Sequence, residues 1–143
     1  MLHTQISAFL SSPPEAVWQA VTDNTDYAWR SGIDELRVLS DTTFVEKSGR
    51  METYFTITHF EPCRLYAFDM QNSRFSGRWA GTFSAYGTGT QVVFTETLQF
   101  KNPVVRAVAF CFMPLHKMQR TYLQDLRKKL GEAGGQRLSL IHI

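Results

Sequence analysis

Alternating apolar and polar residues run through the middle of the chain, from about residue 33 to residue 100. Because successive side chains of a strand point to opposite sides, this period of two predicts β-strands. Turn-forming residues such as Asp41-Thr42 and Gly87-Thr88-Gly89 separate the runs, and such short connections predict antiparallel neighbours. The predicted strands cover about 35–40, 43–48, 50–60, 64–71, 75–86 and 90–100.

The segments before this region predict one more strand and two short helices. Residues 3–11 are strand-like, and Ser12 followed by Pro13 and Pro14 is a typical helix start. We expect a second short helix over Asp26–Arg30, ended by Ser31 and Gly32.

A long helical pattern follows the strands and completes the predicted architecture. It begins at Asn102 and Pro103 and ends before Gly131, with Pro114 expected to kink it. This order predicts an α+β fold, in which a curved antiparallel sheet of about seven strands packs against a long C-terminal helix.

Composition limits the classes of function. With 143 residues, 43% of them hydrophobic, and a formal charge of +2, the chain matches one globular domain and lacks the basic character of a nucleic-acid binder. Cys63 and Cys111 form no CxxC pair, the beginning does not resemble a signal peptide, and no apolar run is long enough for a membrane span. We therefore expect a cytoplasmic protein with a single domain over residues 1–132, and a tail over 133–143 that is non-native or disordered.

Several short stretches carry a resemblance to a known superfamily. They are Ser12-Pro13-Pro14-Glu15-Ala16-Val17-Trp18, Trp29, Phe60-Glu61-Pro62, Gly87-Thr88-Gly89-Thr90 and the terminal helix. In this order they resemble the helix-grip superfamily (SRPBCC), which includes START lipid-transfer domains and birch-pollen-allergen proteins, and in particular its polyketide cyclase/dehydrase-like branch. The resemblance implies a sheet wrapped around the terminal helix, with an apolar cavity between them.

The alternation and the helical stripe also predict which residues line that cavity. The predicted lining residues are Phe55, Ile57, Trp79, Phe83, Phe94, Leu98, Phe112, Leu115 and Tyr122. Gly77 and Gly81 alternate with aromatic residues on the same face, which leaves room either for the packed helix or for a ligand.

Glu96 is the one charged residue on an otherwise apolar strand face. A carboxylate in that place must be paired, hydrogen-bonded or protonated. It is a candidate general acid or base, or a partner for a polar ligand head, and His116 is a candidate for a second catalytic residue. A structural ion pair of Glu96 and a surface position of His116 are the alternatives.

These observations leave three classes of function open. The first is a protein that binds a hydrophobic or amphipathic small molecule, and the second is a cyclase- or dehydratase-like enzyme that uses Glu96. The third is an interaction module similar to chaperone activators. The sequence indicates no cofactor and, since its four histidines lack ligand spacing, no metal site; it leaves a homodimer open.

Overall fold

The computed structural model describes residues 1–112, 115–132 and 138–141, and all of their side chains except those of 108–112 and 138–141. The strands are β1 (Leu2–Leu10), β2 (Glu35–Val38), β3 (Thr43–Ser48), β4 (Met51–Glu61), β5 (Leu65–Gln71), β6 (Phe75–Tyr86), β7 (Gly89–Phe100) and β8 (Leu138–Ile141). The helices are α1 (Pro14–Thr22), α2 (Pro103–Phe112) and α3 (Leu115–Lys129).

The strands form one antiparallel sheet in the order β2-β3-β4-β5-β6-β7-β1-β8. From β2 to β7 each strand pairs with the next along the chain, as the short turns predict. β1 then pairs with β7, so that Leu2 faces Leu98 and Leu10 faces Thr90. The predicted helix-grip α+β fold is confirmed, and β8 adds a short strand at the free edge of β1.

The prediction of a second short helix after β1 is wrong. Asp26–Arg30 forms turns, in which the Arg30 amide donates to the Tyr27 carbonyl and the Trp29 indole nitrogen donates to the Asp26 carbonyl. Just before this segment, the Asp23 carboxylate accepts hydrogen bonds from the amide and hydroxyl of Thr25. Side-chain bonds of this kind favour turns, and a segment of this length gains too few helical bonds to offset nucleation.

The C-terminal helical pattern corresponds to α2 and α3. Pro114 lies outside the described residues, so the kink there stays a prediction. α3 packs on the inner face of the sheet through Leu115, Leu123 and Leu126, all of which are buried. Near its end, Arg127 donates to the Phe9 carbonyl at 3.0 Å, which attaches α3 to β1.

α1 covers one region of the inner face with Trp18. Its ring makes edge contacts with Phe83 at 5.2 Å and Tyr66 at 6.0 Å between centroids. This part of the core is filled by side chains, which leaves the space beside α3 for a cavity.

Neither a packed helix nor an empty space lies beside Gly77 and Gly81. Residues of the sheet itself fill this region. A Cβ atom on Gly81 would lie 2.6 Å from the Trp79 ring, and one on Gly77 would lie 2.3 Å from the Thr97 carbonyl oxygen. The glycines therefore let the Trp79 ring and the adjacent strand β7 approach closely.

Candidate functional site

A cavity of about 660 Å³ lies between the inner face of the sheet, α3 and the loop after α1. The sheet contributes most of its aromatic lining because every second residue of β3 to β7 faces inward. The aromatic lining residues of the sheet are Phe44, Phe55, Tyr66, Phe68, Phe75, Trp79 and Phe94.

These rings pack on one another and form a continuous wall. Phe44 stacks on Phe55 with centroids 4.6 Å apart, and Phe68 stacks on Trp79 at 5.1 Å. Phe94 lies 5.0 Å from Trp79. The wall is apolar and preformed, which suits the body of a hydrophobic ligand.

Glu96 lies in the same row of the sheet as two of these rings. In the strand register it faces Trp79 on β6, which in turn faces Phe68 on β5. Directly opposed residues of antiparallel strands project to the same side, so the carboxyl group enters the cavity beside the Trp79 ring. This is the inward position that the alternation predicts.

No hydrogen bond or ion pair reaches the Glu96 carboxyl from any residue that the structure describes. Burial raises the pKa of Glu96 to about 7, and the nearby Glu46 carboxylate contributes to this rise, whereas Arg30 opposes it. Of the alternatives that the sequence left open, this geometry favours a carboxyl group that keeps its proton near neutral pH.

Arg30 and Glu46 form an ion pair in the wall of the cavity, with Nη1 and Oε2 3.0 Å apart. The guanidinium carbon also lies 5.4 Å from the centre of the Tyr122 ring. Burial alone would lower the pKa of Arg30, but Glu46 keeps it above its ordinary value, so the guanidinium is charged.

Two tyrosines complete the polar side of the cavity. Burial raises the pKa of Tyr122 to about 12, so its hydroxyl keeps its proton. Burial also raises the pKa of Tyr66, whose hydroxyl oxygen accepts a hydrogen bond from the Asn24 amide at 3.3 Å. Both hydroxyl groups are neutral at physiological pH.

The structure places some of the predicted lining residues at this cavity and others away from it. The cavity includes Phe55, Trp79, Phe94, Leu98 and Tyr122. It does not include Ile57, Phe83 or Leu115, which pack in the hydrophobic core.

Each of these exceptions has a local cause. Phe83 meets Trp18 of α1, which fills the space above that end of β6. Ile57 stands where the pairing of β4 with β5 shifts its register, and Leu115 is buried at the first position of α3. The side chain of Phe112 lies outside the described residues.

His116 is half-buried on α3 and is not among the lining residues, although the next residue, Lys117, is. Its pairing with Glu96 in catalysis stays a prediction.

Arg30 and Glu46 are two charged residues among the lining residues that the sequence prediction missed. Glu46 had a usable signal, because Phe44 and Glu46 are two apart on one strand and must share a face. Arg30 had none, because it lies in a loop where no period fixes the direction of the side chain.

Within the described part of the chain, no three His, Cys, Asp or Glu side chains gather in a way that could hold a metal ion. Across the same residues, no helix is both long and apolar enough to cross a membrane.

Solved structures with this architecture include three informative relatives. A conserved protein from Geobacillus kaustophilus matches with a TM-score of 0.75 at 13% identity, over 96% of this chain and 99% of that one. A START superfamily protein from Mycobacterium smegmatis matches with a TM-score of 0.75 at 11% identity, over 90% of this chain and 97% of that one. A protein from the dynemicin biosynthetic locus matches at 0.63 and 15% identity, over 90% of this chain and 47% of that one.

At such low identities these three likenesses show the fold alone. A comparison with curated proteins finds no match. The family model described as "Polyketide cyclase / dehydrase and lipid transport", however, matches residues 1–131. That match covers every element from β1 to α3, and the chain therefore belongs to the polyketide cyclase/dehydrase and lipid transport family.

Proposed function

We propose that this protein binds an amphipathic small molecule in the cavity between the sheet and α3. The observation that carries the proposal is the combination of an aromatic wall with one carboxyl group, that of Glu96, which has no partner among the described residues. A volume of about 660 Å³ lies in the range of sites for small organic ligands.

The two sides of the cavity suit the two ends of such a ligand. The stacked pairs Phe44–Phe55 and Phe68–Trp79 offer apolar surface, whose burial against a ligand is favourable. Glu96 and the charged Arg30 offer polar contacts in a region of low dielectric, where a hydrogen bond fixes orientation strongly. A cavity lined by preformed apolar rings favours such binding over a protein-interaction role.

A fluorescent probe and a pair of matched variants test this proposal. N-phenyl-1-naphthylamine is neutral and apolar, and we expect its fluorescence to rise and saturate on titration with the protein. Thr121→Phe adds a ring inside the cavity and should weaken binding at least about tenfold by exclusion, whereas Gln124→Phe on the exposed side of α3 should bind like the wild type. No saturable rise with the wild type, or equal affinities of the two variants, would contradict the proposal.

A second candidate is acid–base catalysis by Glu96. The observation that favours it is a cavity carboxyl group whose pKa is raised to about 7, because such a group can both accept and donate a proton near neutral pH. Its reaction would be proton transfer next to a carbonyl group of a polyketide-like chain held against the aromatic wall.

A measurement of turnover distinguishes the enzyme hypothesis from the binding hypothesis. With a poly-β-ketone thioester as the probe, Glu96→Gln should slow cyclisation or dehydration by about a hundredfold or more while keeping the shape of the cavity. A wild-type rate no higher than that of Glu96→Gln would exclude this role. His116→Ala, measured beside it, tests the predicted second catalytic residue.

A further inference from the structure

Two groups that can accept hydrogen bonds on the polar side of the cavity have no partner. The Glu96 carboxyl has no partner, and neither has Oε1 of Gln119, when all described residues are considered. Gln119 is a cavity residue of α3 that is only 7% exposed. A buried acceptor without a donor is costly, so a ligand that brings donors to both would be favoured.

The orientation of the Gln119 amide follows from its other contact. Its Nε2 donates to the Phe94 carbonyl oxygen at 3.4 Å. Because a carbonyl oxygen can only accept, the amino group must face it, which leaves Oε1 as the free acceptor. A ligand that carries a donor can therefore satisfy Oε1.

Once Glu96 has lost its proton, above about pH 7, the charges of the cavity also leave a negative site. Arg30 is bound to Glu46, and the two offset each other. Asp125 accepts a hydrogen bond from the Ser31 amide at 2.8 Å, and Lys117 lies exposed at the lining.

Arg30 retains one buried donor, Nε, without an acceptor among the described residues. A ligand carboxylate that approached this donor would also approach the carboxyl groups of Glu46 and Glu96, which would repel it. The electrostatic field in the cavity therefore disfavours a ligand with an anionic head group.

Aromatic residues lie next to both Glu96 and Gln119. Trp79 is the direct cross-strand neighbour of Glu96. Phe94 lies 5.0 Å from Trp79 and 5.7 Å from Tyr122, which follows Gln119 by one turn of α3. Aromatic rings attract a cation through their quadrupole, most strongly where water is excluded.

We propose that the ligand is an amphiphile whose polar head is a protonated primary amine, with its N–H groups donating to Glu96 and Gln119 and its alkyl body lying along the aromatic wall. This inference rests on the proposed binding function and names the chemical class of its ligand. A primary ammonium fits better than other cations because it combines the charge with several donors.

Competition among four probes that share one alkyl chain tests this. The experiment measures how well each compound displaces N-phenyl-1-naphthylamine at about pH 8. The four compounds are dodecylamine, dodecanol, dodecanoate and dodecyltrimethylammonium, all used below their micelle concentrations. At that pH an alkylamine is protonated, as a lysine side chain is, and Glu96 has lost most of its proton. We expect dodecylamine to displace the probe at a concentration at least about tenfold lower than any of the other three.

Two variants connect that preference with the named residues. Glu96→Gln should remove the advantage of dodecylamine over dodecanol, and Gln119→Leu should reduce its advantage over dodecyltrimethylammonium. Glu52→Gln, an exposed carboxylate on β4, is the control and should behave like the wild type.

The outcomes separate this inference from the binding proposal. If the neutral probe binds but dodecanol or dodecanoate competes as well as dodecylamine, the cavity binds ligands and the amine head is wrong. If dodecyltrimethylammonium competes as well as dodecylamine, the proposed hydrogen bonds from the N–H groups are wrong. If neither the neutral probe nor any alkyl compound binds, the amine inference and the binding proposal are both overturned.

Discussion

Ionised Glu96 destabilises the folded chain. Burial raises its pKa from 4.5 to about 7, so between these values the folded state holds a proton that the unfolded state has lost. Stability therefore falls as the pH rises through this window, and the whole loss is present above about pH 7. A polar group kept at such a cost is typical of a functional position.

Glu96→Gln should make the protein more stable at about pH 8, by at most about 3 kcal/mol, because a neutral amide replaces a buried charge. Near pH 4.5 the two proteins should differ much less, since the carboxyl group is then largely protonated. Urea unfolding at both values measures this, with Glu52→Gln as the control. A variant less stable than the wild type at the higher pH would mean that the carboxylate makes a stabilising contact in solution.

Individual residues differ in how far the sequence alone could place them. Glu96 follows from alternation, because a strand has only two faces and the other residues of its face are apolar. The raised pKa could not be predicted, because it depends on Glu46 and Arg30, which are distant in the sequence. The unpartnered side-chain oxygen of Gln119 could not be predicted either, because it depends on how α3 packs on β7.

At the scale of elements, strands were predicted to within a few residues because a strand repeats its pattern over its whole length. The predicted 75–86 coincides with β6, and 90–100 differs from β7 by one residue. Asp26–Arg30 was predicted wrongly because helix propensity over a few residues is overridden by side-chain bonds such as those of Asp23. Alternation also could not show that Phe83 lies away from the cavity, because it predicts the face of a residue and not the neighbour that covers it.

The glycines of β6 give a prediction at this scale. Gly81→Ala places a methyl group against the Trp79 and Phe94 rings, so we expect a loss of about 1–3 kcal/mol and a change in the near-UV circular dichroism of the aromatic wall. Binding of N-phenyl-1-naphthylamine should weaken as well. Thr82→Ala, on the exposed face of the same strand, should change none of these. Unaltered stability and spectra in Gly81→Ala would show that the rings have room to move.

At the scale of the whole molecule, Glu132 connects the end of α3 with the junction between β1 and α1. Its carboxylate accepts hydrogen bonds from the Ser11 amide at 2.9 Å, the Ser12 amide at 3.1 Å and the Ser12 hydroxyl at 2.6 Å. Burial would raise the pKa of Glu132, but the bonds from Ser12 and Ser11 outweigh it and hold the pKa below 4.5. This contact fixes the helix on the sheet and so helps to set the width of the cavity.

Glu132→Gln should lower stability by about 1–3 kcal/mol at neutral pH, because an amide replaces the charged acceptor of several bonds. The contribution of the wild-type carboxylate is present above pH 4.5 and is lost as the pH falls through its lowered pKa, so the two proteins should converge in acid. Thermal melts across this range measure the difference, with the exposed Asp41→Asn as the control. A constant difference at every pH would contradict an electrostatic origin.

The position of β1 between β7 and β8 has a consequence for biosynthesis. β3 to β7 can each pair with the strand made just before, whereas β1, the first strand to leave the ribosome, has to wait for residues 89–100. Until then Ile6 and Leu10, which are fully buried in the finished fold, have no sheet to cover them. Since contacts so distant along the chain form slowly, we expect the closing of β1 onto β7 to limit the folding rate and the unfinished chain to need protection from aggregation.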